Sequence, residues 1–159
     1  MKPICIWNAG DLLGEGPLWC SKSNRLYWVD IKGQSIRFYE PEEGLYQSFP
    51  MPSQVSCIAI KEKGGLLAAM GRELVSIDLE KLLIKSLIKV EDEFPNNRFN
   101  DGKCDAQGRF WIGSMDKSEE KESGSLYCLS NDMSLGKKLS GLIVSNGIGW
   151  SPDLSLIHI

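Results

Sequence analysis

At 159 residues the chain falls within the usual size of one domain, and its 42% hydrophobic content is enough to build a core. The 18 basic and 21 acidic side chains leave a formal charge of −3, with no basic run long enough to follow a phosphate backbone, which argues against a nucleic-acid partner. No stretch approaches the roughly 20 apolar residues needed to span a bilayer, and the Met1-Lys2-Pro3 start lacks an apolar signal core, so a cytoplasmic protein with no membrane partner is expected.

The five cysteines, Cys5, Cys20, Cys57, Cys104 and Cys128, are odd in number, widely spaced and without a CxxC pair. That argues against a disulfide framework and against structural zinc, and the thiols are expected to act as small buried hydrophobes. His158 is the only histidine and stands near the end of the chain, which argues against a Ser-His-Asp or Cys-His apparatus. Hydrolytic chemistry here needs another activator, and a divalent metal held by oxygen ligands is the natural candidate.

In chain order, Ile4-Cys-Ile-Trp7 reads as a short β-like run before a polar turn at Asn8 to Asp11. Glu15 follows, between two glycines and ahead of Pro17; it is either a carboxylate held at the mouth of a site or a solvated turn residue. Leu18–Cys20, Arg25–Ile31, Ser35–Tyr39 and Tyr46–Phe49 then read as four short strands joined by tight turns, which is one propeller blade. A second copy runs through Cys57–Ile60, Leu66–Met70, Leu74–Ile77 and Ile84–Val90. Its segment Leu79 to Val90 has some helical character, but the repeat requires a turn and a strand there.

The stretch from Asn96 to Asp116 is chemically the densest. Arg98, Asn100 and Asp101 place a guanidinium, an amide and a carboxylate within four positions, followed by a β-hairpin signal around Gln107-Gly108. Such a cluster suits a polar ligand or a metal, whereas Asn-Asp-Gly alone also suits a plain tight turn. A third copy runs from here to about Leu142, with Gly124–Leu129 as its third strand and Lys117 to Ser123 as a solvated insertion. Ser145-Asn-Gly-Ile-Gly-Trp-Ser-Pro-Asp153 opens a fourth.

Aligning Trp19, Ala59, Asp105 and Trp150 gives intervals of 40, 46 and 45, a period suited to four-stranded blades rather than helical repeats. The expected blades are approximately 14–50, 54–91, 99–142 and a partial 145–159, with Tyr27, Trp28, Phe110, Trp111 and Trp150 as packing residues. Because propellers close a ring of typically four to eight blades, the sequence is expected to be an N-terminal fragment, and Leu154 to Ile159 fits the repeat poorly.

Four separated motifs in order resemble the SMP-30/gluconolactonase/regucalcin (SMP-30/LRE-like) family: Gly14-Glu-Gly-Pro-Leu-Trp19, Tyr27-Trp-Val-Asp-Ile31, Asn97-Arg-Phe-Asn-Asp-Gly-Lys103 continuing to Gly113-Ser-Met115, and Ser145-Asn-Gly-Ile-Gly-Trp-Ser151. The resemblance implies an all-β fold, a six-bladed β-propeller of which about three blades and the start of a fourth are present. It also implies one bound divalent cation, calcium or zinc, with manganese or magnesium as further options, and hydrolysis of sugar lactones by a protein monomeric at full length. Carried over by motif, Glu15 and Asn146 are metal ligands, with Asn100 a further candidate ligand. Arg98 and Asn100 bind substrate, and Asp101 orients its loop. Two departures stand out. The aspartate that completes the metal shell and serves as base belongs to a later blade, beyond residue 159, so the fragment alone is expected to be inactive. Where a substrate-contacting acid is expected after Gly-Ser-Met, Ser118 stands instead, with Glu119 and Glu120 adjacent. A calcium-binding regulatory protein and a non-catalytic interaction propeller are the alternative readings.

Overall fold

The computed structural model describes residues 2–158. The strands assemble in chain order into antiparallel sheets. The first sheet contains β1 (Gly14–Cys20), β2 (Arg25–Asp30), β3 (Ser35–Glu40) and β4 (Leu45–Pro50), and the second contains β5 (Val55–Ile60), β6 (Leu66–Met70), β7 (Glu73–Asp78) and β8 (Leu83–Lys89). The third holds β9 (Asn97–Cys104), β10 (Phe110–Asp116), β11 (Gly124–Leu129) and β12 (Leu135–Leu142), and β13 (Gly149–Trp150) with β14 (Ile157–His158) begins a fourth. Leu79–Val90 is turn and strand, as the repeat required. Among the described residues no helix is long and apolar enough to cross a membrane.

The tight hairpins follow from their turn residues. Asn24 and Gly108 take positive φ values of 54° and 77°, a left-handed conformation open to Asn and Gly. At the β9–β10 hairpin the Asp105 carboxylate adds a cap, accepting from the backbone N–H groups of Gln107 and Arg109, from Arg109 Nε at 2.6 Å and from Trp111 Nε1 at 2.9 Å. These donors outweigh burial and hold the Asp105 carboxyl below its usual range.

Cohesion comes from two apolar layers. Val29, Ile36 and Phe38 of the first sheet meet Val55, Ile58, Ala68, Val75 and Ile77 of the second. The opposite face of the second sheet sets Cys57, Ala59, Leu67, Ala69 and Leu74 against Phe99, Phe110, Ile112, Tyr127 and Leu129 of the third. Being covered on both faces, β5 and β6 are apolar at nearly every position rather than alternating. Their inner positions bring β1 beside β5 and β5 beside β9. Hydrogen bonds to the backbone fasten the second and third sheets, with Phe99 N–H donating to the Gly71 carbonyl at 2.7 Å and the Ser56 hydroxyl donating to the Phe99 carbonyl at 2.5 Å.

Four expectations need correction. Ile4–Trp7 is not a strand: with no neighbouring strand to pair, it is tied down by side chains, Trp7 against Trp28 and Tyr46, and the Tyr46 hydroxyl donating to the Ile6 carbonyl. The repeat register also shifts. The last paired residues of the first strands are Cys20, Ile60, Cys104 and Trp150, at intervals of 40, 44 and 46, and Asp105 belongs to the turn. The segment expected to fit poorly pairs with β13 through Ile157 and His158; Ile159 lies outside the described residues. Finally, Cys20, Cys57 and Cys128 are buried as expected, whereas Cys5 and Cys104 are exposed.

Candidate functional site

All three inner strands are irregular near their starts. The register slips between Glu15 and Leu18 in β1, between Val55 and Cys57 in β5, and opposite Ile112 to Ser114 in β9, where Asn100 and Asp101 fall inside the slip. A bulge bends the strand and re-aims side chains that would otherwise enter the sheet ladder. Glu15 in the first sheet and Asn100-Asp101 in the third stand at two of these bulges; the second contributes only Ser56, which is bound to backbone.

The polar cluster of β9 reaches into the fourth repeat. Arg98 is 9% exposed, and its Nη1 donates to the Phe99 carbonyl at 2.8 Å and to Asn100 Oδ1 at 2.7 Å. Asn100 Nδ2 in turn donates to the Ser145 carbonyl at 2.9 Å, while Asp101 Oδ2 accepts from the backbone N–H groups of Gly147 at 2.8 Å and Ile148 at 3.4 Å. Asn146 therefore lies in a loop gripped on both sides by neighbouring residues of β9. Asn100 uses its amide nitrogen to hold that loop and shares its oxygen with Arg98.

Charge gathers around the same guanidinium. Burial lowers the Arg98 pKa, and the Glu119 and Glu15 carboxylates oppose that effect. Glu15 is thus within electrostatic reach of the β9 cluster although it belongs to another sheet. Glu119 sits at a φ of 60° in the Lys117–Ser123 insertion, so this solvated loop also brings charge to the site. Asp116 anchors the loop, accepting from Asn96 Nδ2 at 2.5 Å, from the Ser118 hydroxyl and from the N–H groups of Glu120 and Lys121. The Ser118 bond, followed by the others, holds the Asp116 carboxyl at about 2.

The donor set suits a hard cation in kind. Glu15 and Asn146 are both exposed and offer a carboxylate and an amide oxygen that no other side chain of the described residues engages. Oxygen donors of this kind suit calcium, magnesium or manganese. Among the described residues no three His, Cys, Asp or Glu side chains come together.

Concavity alone would have directed attention elsewhere. A cleft of about 1000 Å³ lies between the first two sheets, lined by Lys22, Arg25, Lys61 and Leu82, and none of the predicted site residues borders it. Glu15 instead edges a smaller cleft of about 560 Å³ with Trp7, Trp28, Tyr39 and Tyr46.

Sequence reasoning missed Glu91. It is 5% exposed, with a φ of 56°, and its carboxylate accepts from Asn97 Nδ2 at 2.8 Å, Ser114 Oγ at 2.6 Å and the Tyr127 hydroxyl at 2.8 Å. Burial and then this carboxylate push the Tyr127 phenol well above its usual range. The network fixes Asn97, immediately before Arg98. One acid in an acidic loop carries no sequence signal for such a role.

The chain can now be compared with known proteins. The family description "SMP-30/Gluconolactonase/LRE-like region" matches residues 13–159. Regucalcin of Xenopus laevis is 34% identical over 163 residues, covering 99% of this chain and 54% of that protein. L-arabinolactonase of Azospirillum brasilense is 34% identical over 150 residues, covering 92% of this chain and 50% of that enzyme. Among solved structures, the calcium-binding protein regucalcin of Agrobacterium tumefaciens superposes with a TM-score of 0.85 at 27% identity, over 91% of this chain and 49% of that one. The chain spans about half the length of the curated relatives it matches. Its three four-stranded sheets correspond to consecutive blades of a six-bladed propeller, and with the family description matching residues 13–159 the chain belongs to the SMP-30/gluconolactonase/LRE-like family.

Proposed function

We propose that these residues form the first part of a divalent-cation-dependent sugar-lactonase site. The reading rests on one observation above all: Asn100 and Asp101 bond to the backbone on either side of Asn146, joining the two polar motifs of different repeats, with Glu15 within electrostatic reach. Support also comes from a relative named L-arabinolactonase.

In this reading Glu15 and Asn146 supply oxygen ligands, and the second lone pair of Asn100 Oδ1 is a further one. A divalent cation held there, calcium, zinc, manganese or magnesium, would supply positive charge to polarise the lactone carbonyl. Arg98 is held forked by Phe99 and Asn100 and directs its remaining N–H donors at the lactone carbonyl or ring hydroxyls. Glu119, whose charge reaches the same guanidinium, would accept from a sugar hydroxyl. Attack of water on the carbonyl carbon breaks the ring ester bond and releases a hydroxy acid. The general base is proposed to lie beyond residue 159, in the part of the relatives' length that this chain does not span.

The test has two parts. Calorimetry on this chain measures uptake of calcium, zinc and manganese. Hydrolysis of gluconolactone and arabinonolactone is then followed in a chain extended to the relatives' length, with metal removed and restored. Metal-dependent turnover abolished by Glu15→Gln or Asn146→Ala supports the reading. Cation uptake without turnover favours a calcium-binding role like that in the name of the Agrobacterium protein, and no uptake refutes both.

A further inference from the structure

The Gly113-Ser114-Met115 motif lies on β10, outside the proposed ligands, yet each residue touches what holds them. Ser114 Oγ donates to the buried Glu91 carboxylate at 2.6 Å. Met115 is 1% exposed and forms an isolated antiparallel bridge with Val144, immediately before the loop that carries Asn146. Gly113 leaves a notch. A Cβ placed on it would lie 1.8 Å from Ser145 Oγ and 2.2 Å from Ser145 Cβ, so the Ser145 side chain occupies the space that any other residue at 113 would fill. Ser145 is 1% exposed and its hydroxyl has no hydrogen-bond partner among the described residues, so it is seated by shape and not by a polar contact.

We infer that Gly113 is a positioning residue for Asn146: by admitting the Ser145 side chain it lets Asn100 and Asp101 close on the backbone of residues 145–148, which aims the Asn146 side chain into the cation site. The inference rests on the proposed cation-binding reading. Four contacts converge on the three residues that flank Asn146. Ser145 fills the notch, its carbonyl is held by Asn100, and the Gly147 and Ile148 amides are held by Asp101. Asn146 is the residue between them that is free to face a ligand. Outer contacts of this kind fix the orientation of a metal ligand, and their loss costs roughly 10–100-fold in metal affinity.

Gly113→Ala forces the loop off β10. Hydrogen–deuterium exchange on this chain then shows the Gly147 and Ile148 amides losing protection, and calorimetry with calcium and zinc shows affinity reduced roughly 10–100-fold. Adding Ser145→Gly removes both atoms that meet the new Cβ and restores protection and affinity together, which a general loss of stability would not do. Should Gly113→Ala fail to fold, Asp101→Asn preserves volume while replacing one acceptor oxygen with a donor, and it moves both readouts in the same direction. Unchanged Gly147 protection overturns the clip. Lost protection with unchanged affinity overturns the positioning role. A wild-type chain that takes up no cation overturns that role together with the cation-binding reading, and the exchange data still decide whether the clip exists.

Discussion

Replacing Glu91 with glutamine changes almost no volume and is expected to destabilise the chain by about 2 kcal/mol. The reasoning starts from the three donors that converge on its carboxylate, Asn97 Nδ2 on one oxygen and Ser114 Oγ with the Tyr127 hydroxyl on the other. In glutamine one oxygen becomes an NH₂ group. If the remaining oxygen faces Ser114 and Tyr127, the new amide nitrogen meets the Asn97 nitrogen, donor against donor. Asn97 cannot relieve this by flipping, because its Nδ2 also donates to the Ser123 carbonyl at 3.0 Å and its Oδ1 accepts from Ser123 Oγ at 2.7 Å. A buried donor therefore loses its acceptor, which costs about 1–3 kcal/mol, and the two surviving bonds lose their charge assistance. With a urea slope of about 2 kcal/mol/M for a chain of this size, the unfolding midpoint falls by about 1 M. Tyr127→Phe deletes a donor and leaves the carboxylate two partners, so its cost is expected to be smaller, about 1 kcal/mol. A midpoint for Glu91→Gln within about 0.2 M of wild type, well below that expected shift, would refute the account of Glu91 as the anchor of the second and third sheets.

Arg98→Lys retains the charge but removes the fork that joins the Phe99 carbonyl to Asn100 Oδ1; steady-state kinetics on the extended chain should show KM for the lactone rising about tenfold. Asp116, held at about 2 against an ordinary 3.8, contributes stability that is present in full above 3.8 and is lost as pH falls towards 2. Protection of the Glu120 and Lys121 amides, as exchange relative to the intrinsic rate at each pH, should fall across that window, and Asp116→Asn should remove that pH dependence. Thiol titration with Ellman's reagent should find Cys5 and Cys104 reactive in the folded chain, Cys104 slowly because burial and then Asp105 push its thiol up, and Cys20, Cys57 and Cys128 reactive only after denaturation.

The blades were legible because their signals are local. A short apolar strand is followed by a turn residue able to take positive φ, and the unit recurs, so Asn24 and Gly108 mark hairpins with no tertiary information. Errors arose where the local signal was sound but its partner lay elsewhere. Ile4–Trp7 has the composition of a strand and no strand beside it, while Asp105 has the look of a strand residue and a carboxylate fully engaged by its own turn. The register shifts at the strand starts added to the slip, since a bulge inserts residues into the repeat without changing its hydrophobic pattern.

The proposed site divides along the same physical line. Glu15, Asn100 and Asn146 could be singled out because exposed or half-buried polar residues recur near strand starts, and such positions need no buried partner to be tolerated, while the buried Arg98 stood out by its place beside Asn100 and Asp101. Gly113, Ser145 and Glu91 could not, because their roles consist only of what lies across from them: a missing Cβ, a side chain filling its place, and a carboxylate surrounded by donors from three strands. Their burial also explains why the exposed residues can remain unpaired. A carboxylate and an amide facing solvent at the end of a sheet gain little by folding towards each other, and the backbone that carries Asn146 is already fixed by bonds to Asn100 and Asp101. Placing that backbone is thus achieved during folding, which on the proposed cation-binding reading leaves less conformational entropy to be lost when a cation binds.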